Sequence, residues 1–589
     1  MNKKHIFRLP LIPALIFLLT TCSSKHDHQY DDWTVTGGSK QSIRYSSLNQ
    51  IDSSNIAQLE VAWEYHTGDA DTAKHSQIQC NPIIVNGVLY GTSPRLRLIA
   101  LDAATGKEKW VFDPDSSNKN KEFLHFILNN NRGVTYWEGG ADKRILYTAG
   151  SMLYAINAAD GKIIPSFGNN GRIDLHDGLG RDVKDLYVTA TSPGIVYKDL
   201  FIIGSRVDEG PAAAPGHIRA YDVRTGQLKW IFHTIPHPGE TGYDTWEDSI
   251  AYKHIGGANA WSGFSLDDER GILFAPTGSA SFDFYGGKRK GSDLFANCLL
   301  AINAANGKLI WYFQFVHHDV WDKDLPTPPA LVTIHKDGKQ TDAVAQPTKH
   351  GMVYVFERET GKPVYPIDEI TVDTHTEMPG EKLWPSQPIP RVPGPFARQT
   401  FTANDINPYL PDSSVNKLKK DLQDYRYGNM FLPPGKHVSV VFPGYDGGAE
   451  WGGPSFDPET GWLYVNANEM GWLLTLADAK TVVPKKENYL QAGQRLYTQN
   501  CMNCHGPDRK GSGNNPSIVE VNKKYGVDSF LYLINSGRRM MPSFKQLDEA
   551  EKKAIASFIL DQKSQQAKIF ITTPKPVDTF RTIPYTMTG

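Results

Sequence analysis

Short runs of alternating hydrophobic and polar residues recur along the first part of the chain. Each run is followed by an Asp or Asn and then a Gly, a pairing that favours a tight turn between two antiparallel strands. The clearest copies span 99–110, 153–162, 218–230 and 299–311, with a weaker copy at 353–362 and a shortened one at 455–462. Strand–turn–strand units repeated in this way predict a β-propeller, although unrelated hairpins with common turn chemistry remain the alternative. A Trp near the end of three copies is expected to pack between neighbouring blades.

The pattern changes between about 485 and 562. Apolar residues at 490–500, 527–535 and 547–560 have helical spacing, which predicts a separate all-α domain. The chain is therefore divided into a signal peptide (1–22), a tether (23–32), a propeller (33–480), a helical domain (485–563) and the start of a final propeller segment (564–589).

The amino terminus is typical of an exported protein. Lys3, Lys4 and Arg8 precede an apolar run at 11–19 that is too short to span a bilayer as a mature helix. The run ends in Leu-Thr-Thr-Cys22, which resembles a bacterial lipobox and predicts lipidation of Cys22. A plain secretory signal with an incidental cysteine is the alternative.

Composition narrows the class of protein. The 589 residues include 62 Lys+Arg and 64 Asp+Glu, so the formal net charge is −2, which argues against a nucleic-acid partner. With 40% hydrophobic and 21% charged residues, the chain is globular. Five cysteines are too few for a disulfide scaffold, although a bond between Cys80 and Cys298 stays open.

The helical segment contains Cys501-Met-Asn-Cys504-His505, the pattern of covalent c-type haem attachment. A zinc site needs further paired ligands, and the region has no other cysteine. Because His505 is the last histidine, the second axial ligand is expected to be a methionine. Met541, in a Met-Pro pair, is preferred to Met540. His/Met ligation favours electron transfer.

A propeller and a haem motif on one exported chain resemble the pyrroloquinoline quinone (PQQ)-dependent dehydrogenases of the glucose/quinate branch. That resemblance implies an eight-bladed all-β propeller holding PQQ and a divalent ion, with an inserted cytochrome c domain. The most specific string is Val316-His-His-Asp-Val-Trp-Asp322, directly after the fourth repeat. By this match, Asp319 is the base that takes the proton from the substrate hydroxyl.

The resemblance also implies the residues that contact the cofactor. Lys349 matches the basic residue near the quinone carbonyls, and Arg132 matches the partner of a PQQ carboxylate. Trp261 matches the floor beneath the planar ring. Four further residues are expected in cofactor-contacting loops: Thr191, Ser192, Glu450 and Trp451.

The metal site departs most from the family pattern. Oxygen donors remain at the matching positions, which suits a hard cation such as Ca²⁺ or Mg²⁺. The predicted ligands are Asp208, Thr277 and Asp319.

Together these features predict oxidation of a sugar, polyol or alcohol hydroxyl, as in a glucose dehydrogenase. We expect electrons to pass through haem c to a cytochrome or quinone pool. The protein is expected on the periplasmic side of a bacterial membrane, anchored by lipid to the outer membrane. Fewer blade signatures precede the cytochrome than eight blades need, so an open, incomplete propeller is expected. The alternatives are a non-catalytic propeller lipoprotein scaffold with an electron carrier, another haem–propeller oxidoreductase such as a nitrite reductase, and an inactive fragment.

Overall fold

The structure is a computed structural model. It describes residues 30–70, 76–114, 130–211, 213–336, 338–478, 487–511, 516–537, 541, 543, 544, 547–571 and 585–588. Cys22, Met540 and most of the tether lie outside these residues.

The described part of the chain is dominated by β-strands. The first eighteen are β1 (Ile83–Val85), β2 (Val88–Thr92), β3 (Leu98–Asp102), β4 (Glu108–Phe112), β5 (Thr135–Gly139), β6 (Asp142–Ala149), β7 (Met152–Asn157), β8 (Arg172–Asp174), β9 (Val188–Thr189), β10 (Ile195–Tyr197), β11 (Leu200–Ile203), β12 (Arg206–Val207), β13 (Ile218–Asp222), β14 (Leu228–Phe232), β15 (Ser265–Asp267), β16 (Ile272–Pro276), β17 (Cys298–Asn303) and β18 (Leu309–Gln314). The others are β19 (Ala330–Lys336), β20 (Lys339–Pro347), β21 (Val353–Glu357), β22 (Ile367–Thr371), β23 (Ser386–Pro390), β24 (Ser439–Val441), β25 (Ser455–Asp457), β26 (Trp462–Tyr464), β27 (Trp472–Asp478), β28 (Glu487–Asn488), β29 (Ile569–Phe570) and β30 (Tyr585–Thr588).

These strands form successive antiparallel sheets, one for each sequence repeat. Four sheets have four strands, ordered β1-β2-β3-β4, β5-β6-β7-β8, β10-β11-β13-β14 and β15-β16-β17-β18, and β19-β20-β21 follows. The first strands of neighbouring sheets contact one another, as β5 does β10 and β15 does β19. First strands such as β10 and β15 are fully buried, whereas the fourth strands carry exposed residues. The predicted propeller fold is confirmed, and the structure places first strands such as β10 and β15 innermost.

The tryptophans of three repeats pack against the sheet that follows. The indole N–H of Trp110 donates to the carbonyl of Ala158 at 3.1 Å, and Trp230 does the same to Ala304. Each ring lies on a turn glycine of the following repeat: a β-carbon added at Gly161 would sit 2.6 Å from the Trp110 ring. The inter-blade packing expected from the sequence is therefore present.

An irregular amino-terminal segment, residues 33–44, joins distant sheets. Its carbonyl at Trp33 accepts from the amide of Ile84 in β1, at 2.9 Å. Its carbonyl at Ile43 accepts from the amide of Phe456 in β25, at 2.8 Å. The segment thus links the first sheet to the hairpin β25–β26.

The α-helices are α1 (Ala251–His254), α2 (Asp412–Asp421), α3 (Tyr489–Asn500), α4 (Met502–His505), α5 (Val527–Ser536) and α6 (Glu549–Ile559). The last four enclose their own hydrophobic core, in which α3 packs against α6. β30 pairs with β27, so the helical domain is inserted in the sequence between two strands of one sheet. None of the helices in the described residues has the length and apolarity needed to cross a bilayer.

Candidate active site

Arg132, in the loop before β5, is a buried cation that forms no ion pair within 4.0 Å with a carboxylate of the described residues. Its backbone amide donates to the carbonyl of Thr191 at 2.8 Å, and its side chain donates to the Thr191 hydroxyl at 2.8 Å. The guanidinium lies over the rings of Trp261 and Trp451, at 5.3 and 4.7 Å. Nε has no hydrogen-bond partner among the described residues. Burial, with repulsion from Arg206, lowers the pKa of Arg132 to about 9, so an anion beside it would be stabilised.

Two residues that the sequence predicted to contact the cofactor lie beside Arg132, in the loop after β9. Thr191 and Ser192 are both buried, and the Ser192 hydroxyl lies 3.5 Å from the Arg132 guanidinium. On the opposite side, burial raises the pKa of Glu450 to about 7, despite the opposing effect of Lys349. The structure therefore brings together the residues that the sequence placed around a planar anion.

Lys349 lies against a group of carboxylates. Its Nζ lies 3.2 Å from Oδ1 of Asp322 and 3.8 Å from Oδ2 of Asp324. Burial lowers the pKa of Lys349. The charges of Asp322, Asp324 and Glu450 act in the opposite direction and raise the pKa above its ordinary value. Asp324 also accepts the indole N–H of Trp261 at 3.0 Å. Lys349 is therefore a fixed cation beside the aromatic floor.

Four acidic side chains gather at this point: Glu209, Asp283, Asp322 and Asp324. Burial raises the pKa of Asp322 well above its ordinary value; Lys349 opposes this shift, and repulsion from Asp324, Glu209 and Asp319 adds to it. Burial and the charge of Asp322 do the same to Asp283. Because these carboxylates repel one another, a bound hard cation would relieve the repulsion, and oxygen donors are what Ca²⁺ and Mg²⁺ prefer. Of the four, Glu209, Asp283 and Asp324 were missed from the sequence.

The geometry argues against Asp319 as the proton acceptor. Its Oδ2 accepts hydrogen bonds from the Ser279 hydroxyl at 2.5 Å, the Asn297 side-chain amide at 2.9 Å and the backbone amide of Lys323 at 2.6 Å. Its Oδ1 accepts the amide of Trp321 at 2.9 Å. The side chain is only 2% exposed. Asp319 therefore holds the loop together, and Asp322, at the end of the same string, is the carboxylate that faces Lys349.

The structure ties the other two predicted metal ligands to the backbone of their own loops. The Thr277 hydroxyl donates to the carbonyl of Phe295 at 2.7 Å and accepts the amide of Cys298 at 2.9 Å. Asp208 accepts the amide of Gly210 at 2.7 Å. Besides burial, the charge of the neighbouring Glu209 raises the pKa of Asp322 and Asp283, and the charge of Asp319 also raises that of Asp322. The ligand set Asp208, Thr277 and Asp319 stays a prediction.

The haem motif lies at the junction of α3 and α4. Cys501 is buried at the end of α3, while Cys504 is exposed in α4. The Nδ1 of His505 bonds to the carbonyl of Pro516 at 2.9 Å. Since a carbonyl only accepts, the proton is on Nδ1 and Nε2 is free to bind iron. Met541 packs on the same hydrophobic core, so these residues fit a covalently attached haem.

The two remaining described cysteines are free. Cys80 accepts the amide of Thr92 at 3.3 Å, and Cys298 donates to the carbonyl of Ala296 at 3.2 Å. The disulfide left open by the sequence is absent from this structure.

Residues 33–511 match the PQQ family, described as glucose/ethanol/alcohol dehydrogenase, beta-propeller domain. Residues 488–559 match the family of cytochrome c oxidase, cbb3-type, subunit III. Quinoprotein glucose dehydrogenase A of Acinetobacter calcoaceticus is 33% identical over 471 residues, covering 73% of this chain and 56% of that protein. The quinate/shikimate dehydrogenase (quinone) of Acinetobacter baylyi is 32% identical, covering 75% and 57%. The chain thus spans little more than half the length of these relatives.

Solved structures with the same fold include quinohemoprotein alcohol dehydrogenase ADHIIG from Pseudomonas putida HK5. It superposes with a TM-score of 0.61 at 19% identity, covering 91% of this chain and 96% of that one. The quinohemoprotein alcohol dehydrogenase from Comamonas testosteroni gives a TM-score of 0.56 at 20% identity, with the same coverage. At these identities the likeness concerns the fold.

Proposed function

Because this chain belongs to the family of PQQ-dependent dehydrogenases, we propose that it oxidises a hydroxyl group of a sugar, polyol or alcohol and passes the electrons to haem c. The observation that carries the proposal is the buried Arg132, whose Nε has no hydrogen-bond partner among the described residues and whose guanidinium lies over two indoles. The names of the relatives point to glucose, quinate and glycerol as the first substrates to try.

The residues present fit PQQ, a planar quinone that carries carboxylates. Arg132 binds a carboxylate in the bidentate geometry that guanidinium favours, since its Nε is unpaired. Trp261 and Trp451 offer flat aromatic surfaces for stacking. When bound, PQQ supplies the quinone carbonyl that accepts a hydride.

Asp322 is the proposed proton acceptor for the substrate hydroxyl. The neighbouring carboxylates and burial make it more basic than an ordinary aspartate, while Lys349 keeps its ionised form accessible. This is the balance that a general base near neutral pH requires. The Lys349 cation also stabilises negative charge that develops on a nearby oxygen.

Glu209, Asp283 and Asp322 are proposed to hold the hard cation, Ca²⁺ or Mg²⁺. Such an ion supplies a Lewis acid beside the reacting carbonyl. In the cytochrome domain, Cys501 and Cys504 attach the haem while His505 and Met541 are its proposed axial ligands. The haem supplies a one-electron acceptor with a potential raised by the methionine.

We also propose a periplasmic location with a lipid anchor on Cys22, where a cytochrome or the quinone pool can collect the electrons. The support is the charged and apolar amino terminus. Incorporation of labelled palmitate that disappears in Cys22→Ala is the expected result, and labelling that persists would contradict the anchor.

The test uses haem-loaded chain prepared without PQQ. Binding is followed first, as quenching of tryptophan fluorescence on titration with PQQ and Ca²⁺. Glucose, quinate, glycerol and simple alcohols are then added in turn while the α-band of reduced haem is recorded. Reduction that requires both PQQ and one substrate is the expected result.

Two variants sharpen the result. Arg132→Ala should weaken PQQ binding, and Asp322→Asn should leave binding intact but abolish haem reduction. Asp268→Asn, an exposed carboxylate paired with Lys40, is the matched control. Absence of PQQ binding by the unaltered chain would overturn the proposal and favour the scaffold alternative.

A further inference from the structure

Three histidines converge at one end of the hairpin β13–β14, outside the proposed active site. His217 precedes β13 and His233 follows β14, and they lie at the same end because Ile218 pairs with Phe232. His237 lies in the loop that follows. One ring nitrogen from each of the three lies within 4.8 Å of the others. The rings of His233 and His237 stack at 3.9 Å, and His217 meets His233 edge-on at 4.8 Å.

Glu240 orients two members of this cluster. Its carboxylate accepts the Nδ1 proton of His233 at 2.9 Å and the backbone amide of His237 at 2.7 Å. A proton held on Nδ1 leaves the Nε2 lone pair of His233 free. A carboxylate that fixes the tautomer of a histidine in this way is the usual support of a metal-binding imidazole.

The surroundings of His217 and His237 disfavour their protonated forms, and the neutral imidazole is the form that binds metals. Burial lowers the pKa of His217 well below its ordinary value, and His233, Arg219, His237 and Arg181 add to the shift. Burial and the charge of His233 also lower the pKa of His237.

The charges that face the cluster are therefore two arginines, Arg181 and Arg219, and one carboxylate, Glu240. The arginines disfavour any added cation, whereas Glu240 attracts one. A metal ion that forms strong bonds to nitrogen is therefore favoured over an ion held by charge alone.

We propose that His217, His233 and His237 bind one divalent transition-metal ion of the zinc type. Imidazole ligands select Zn²⁺, Cu²⁺ or Ni²⁺ over Ca²⁺ and Mg²⁺. Because the rings of His233 and His237 are stacked, one of them must turn before all three histidines bind the ion at about 2.0–2.1 Å, with water in the fourth tetrahedral position. In the structure Nδ1 of His217 accepts the amide of Thr234 at 3.1 Å, so His217 exchanges this hydrogen bond for the metal when it binds.

The site would fasten the long loop between β14 and β15 to its own blade. That loop leads to Asn259 and to Trp261, the proposed floor of the cofactor pocket. Gly216, beside His217, packs directly on Asn259, because a β-carbon there would lie 2.2 Å from the Asn259 β-carbon. Metal occupancy therefore stabilises the strand end on which this loop rests.

The experiment measures zinc content of untagged, haem-loaded chain. Haem loading matters because it consumes the thiols of Cys501 and Cys504, which otherwise bind zinc. The protein is dialysed against about 10 μM free Zn²⁺ in the presence of excess Ca²⁺, and bound metal is counted by mass spectrometry. One zinc ion per chain is expected, and the excess Ca²⁺ should not displace it.

Variants assign the ligands. His233→Ala should lose the bound zinc, and Glu240→Gln should weaken binding by about 10–100-fold. His176→Ala is the matched control, since His176 is also half-buried and paired with a carboxylate, Asp174, but lies outside the cluster. Equal zinc content in His233→Ala and His176→Ala would overturn the proposal.

A second readout needs no variant. X-ray absorption at the zinc edge of the unaltered chain should show nitrogen neighbours with the scattering pattern of several imidazoles. Coordination by oxygen alone, or no bound zinc, would overturn the proposal. Neither readout depends on dehydrogenase activity, so the two proposals fail independently.

Discussion

Exchanging each aspartate of the string 319–322 for asparagine separates folding from catalysis. Asp319 accepts four hydrogen bonds, from Ser279, Asn297, Trp321 and Lys323. In Asp319→Asn the new NH₂ group replaces one acceptor, so at least one buried donor loses its partner. That costs about 1–3 kcal/mol, and each bond that changes from a charged to a neutral acceptor costs about 1 kcal/mol more. The expected loss of stability is roughly 4–6 kcal/mol.

Asp322→Asn should behave in the opposite way. Burial raises the pKa of Asp322, Lys349 opposes this shift, and repulsion from Asp324, Glu209 and Asp319 adds to it. Removing the charge relieves that repulsion but takes from the buried Lys349 its nearest partner, so the free energy of unfolding should fall by less than in Asp319→Asn. Turnover should fall by about 10²–10⁴-fold if Asp322 is the general base.

The assay pairs urea unfolding, followed by tryptophan fluorescence, with PQQ-dependent haem reduction. The unaltered chain and both variants are measured in one buffer. A stable but inactive Asp319→Asn, or an active Asp322→Asn, would refute the assignment of the two roles.

Three further predictions concern the blades, the pocket and the haem. In urea unfolding, Gly161→Ala should destabilise the propeller by about 1–3 kcal/mol more than Gly140→Ala. Both glycines have φ near +70°, but only Gly161 faces a ring, that of Trp110. Equal losses of stability would contradict the packing of Trp110 on Gly161. The pKa of Glu450 is raised from 4.5 to about 7, so the folded chain binds its proton more tightly and stability should fall by roughly 3 kcal/mol as pH rises from about 4.5 to 7; Glu450→Gln should flatten this profile, and an unchanged slope would count against it. Met541→Ala should lower the haem midpoint potential in a redox titration, since thioether ligation raises it; an unchanged potential would exclude Met541 as a ligand.

Local sequence carried much of the fold. Alternating residues around each Asp-Gly or Asn-Gly turn specify a strand pair without help from distant parts of the chain. The tryptophan that ends a repeat was also readable, because the glycine on which it packs belongs to the same repeated pattern. The haem motif was equally clear, since both cysteines and His505 are neighbours in sequence.

The candidate site was only partly readable. Arg132, Trp261, Lys349 and Trp451 were found from the sequence, and the structure brings them together. The choice between Asp319 and Asp322 was not. Family position indicated the correct string but not the direction in which each of its carboxylates faces.

What the sequence by itself determined, then, is the repeated unit and the place of the haem motif, because neighbouring residues decide each of them. Only the tertiary structure decided what each carboxylate contacts. Asp322 takes φ +56°, and Ser279 and Asn297 arrive from distant segments to bind Asp319. The histidine cluster has the same origin, since strand pairing sets His217 beside His233. A buried group's chemistry depends on donors and charges brought together by folding, and no local pattern records which ones arrive.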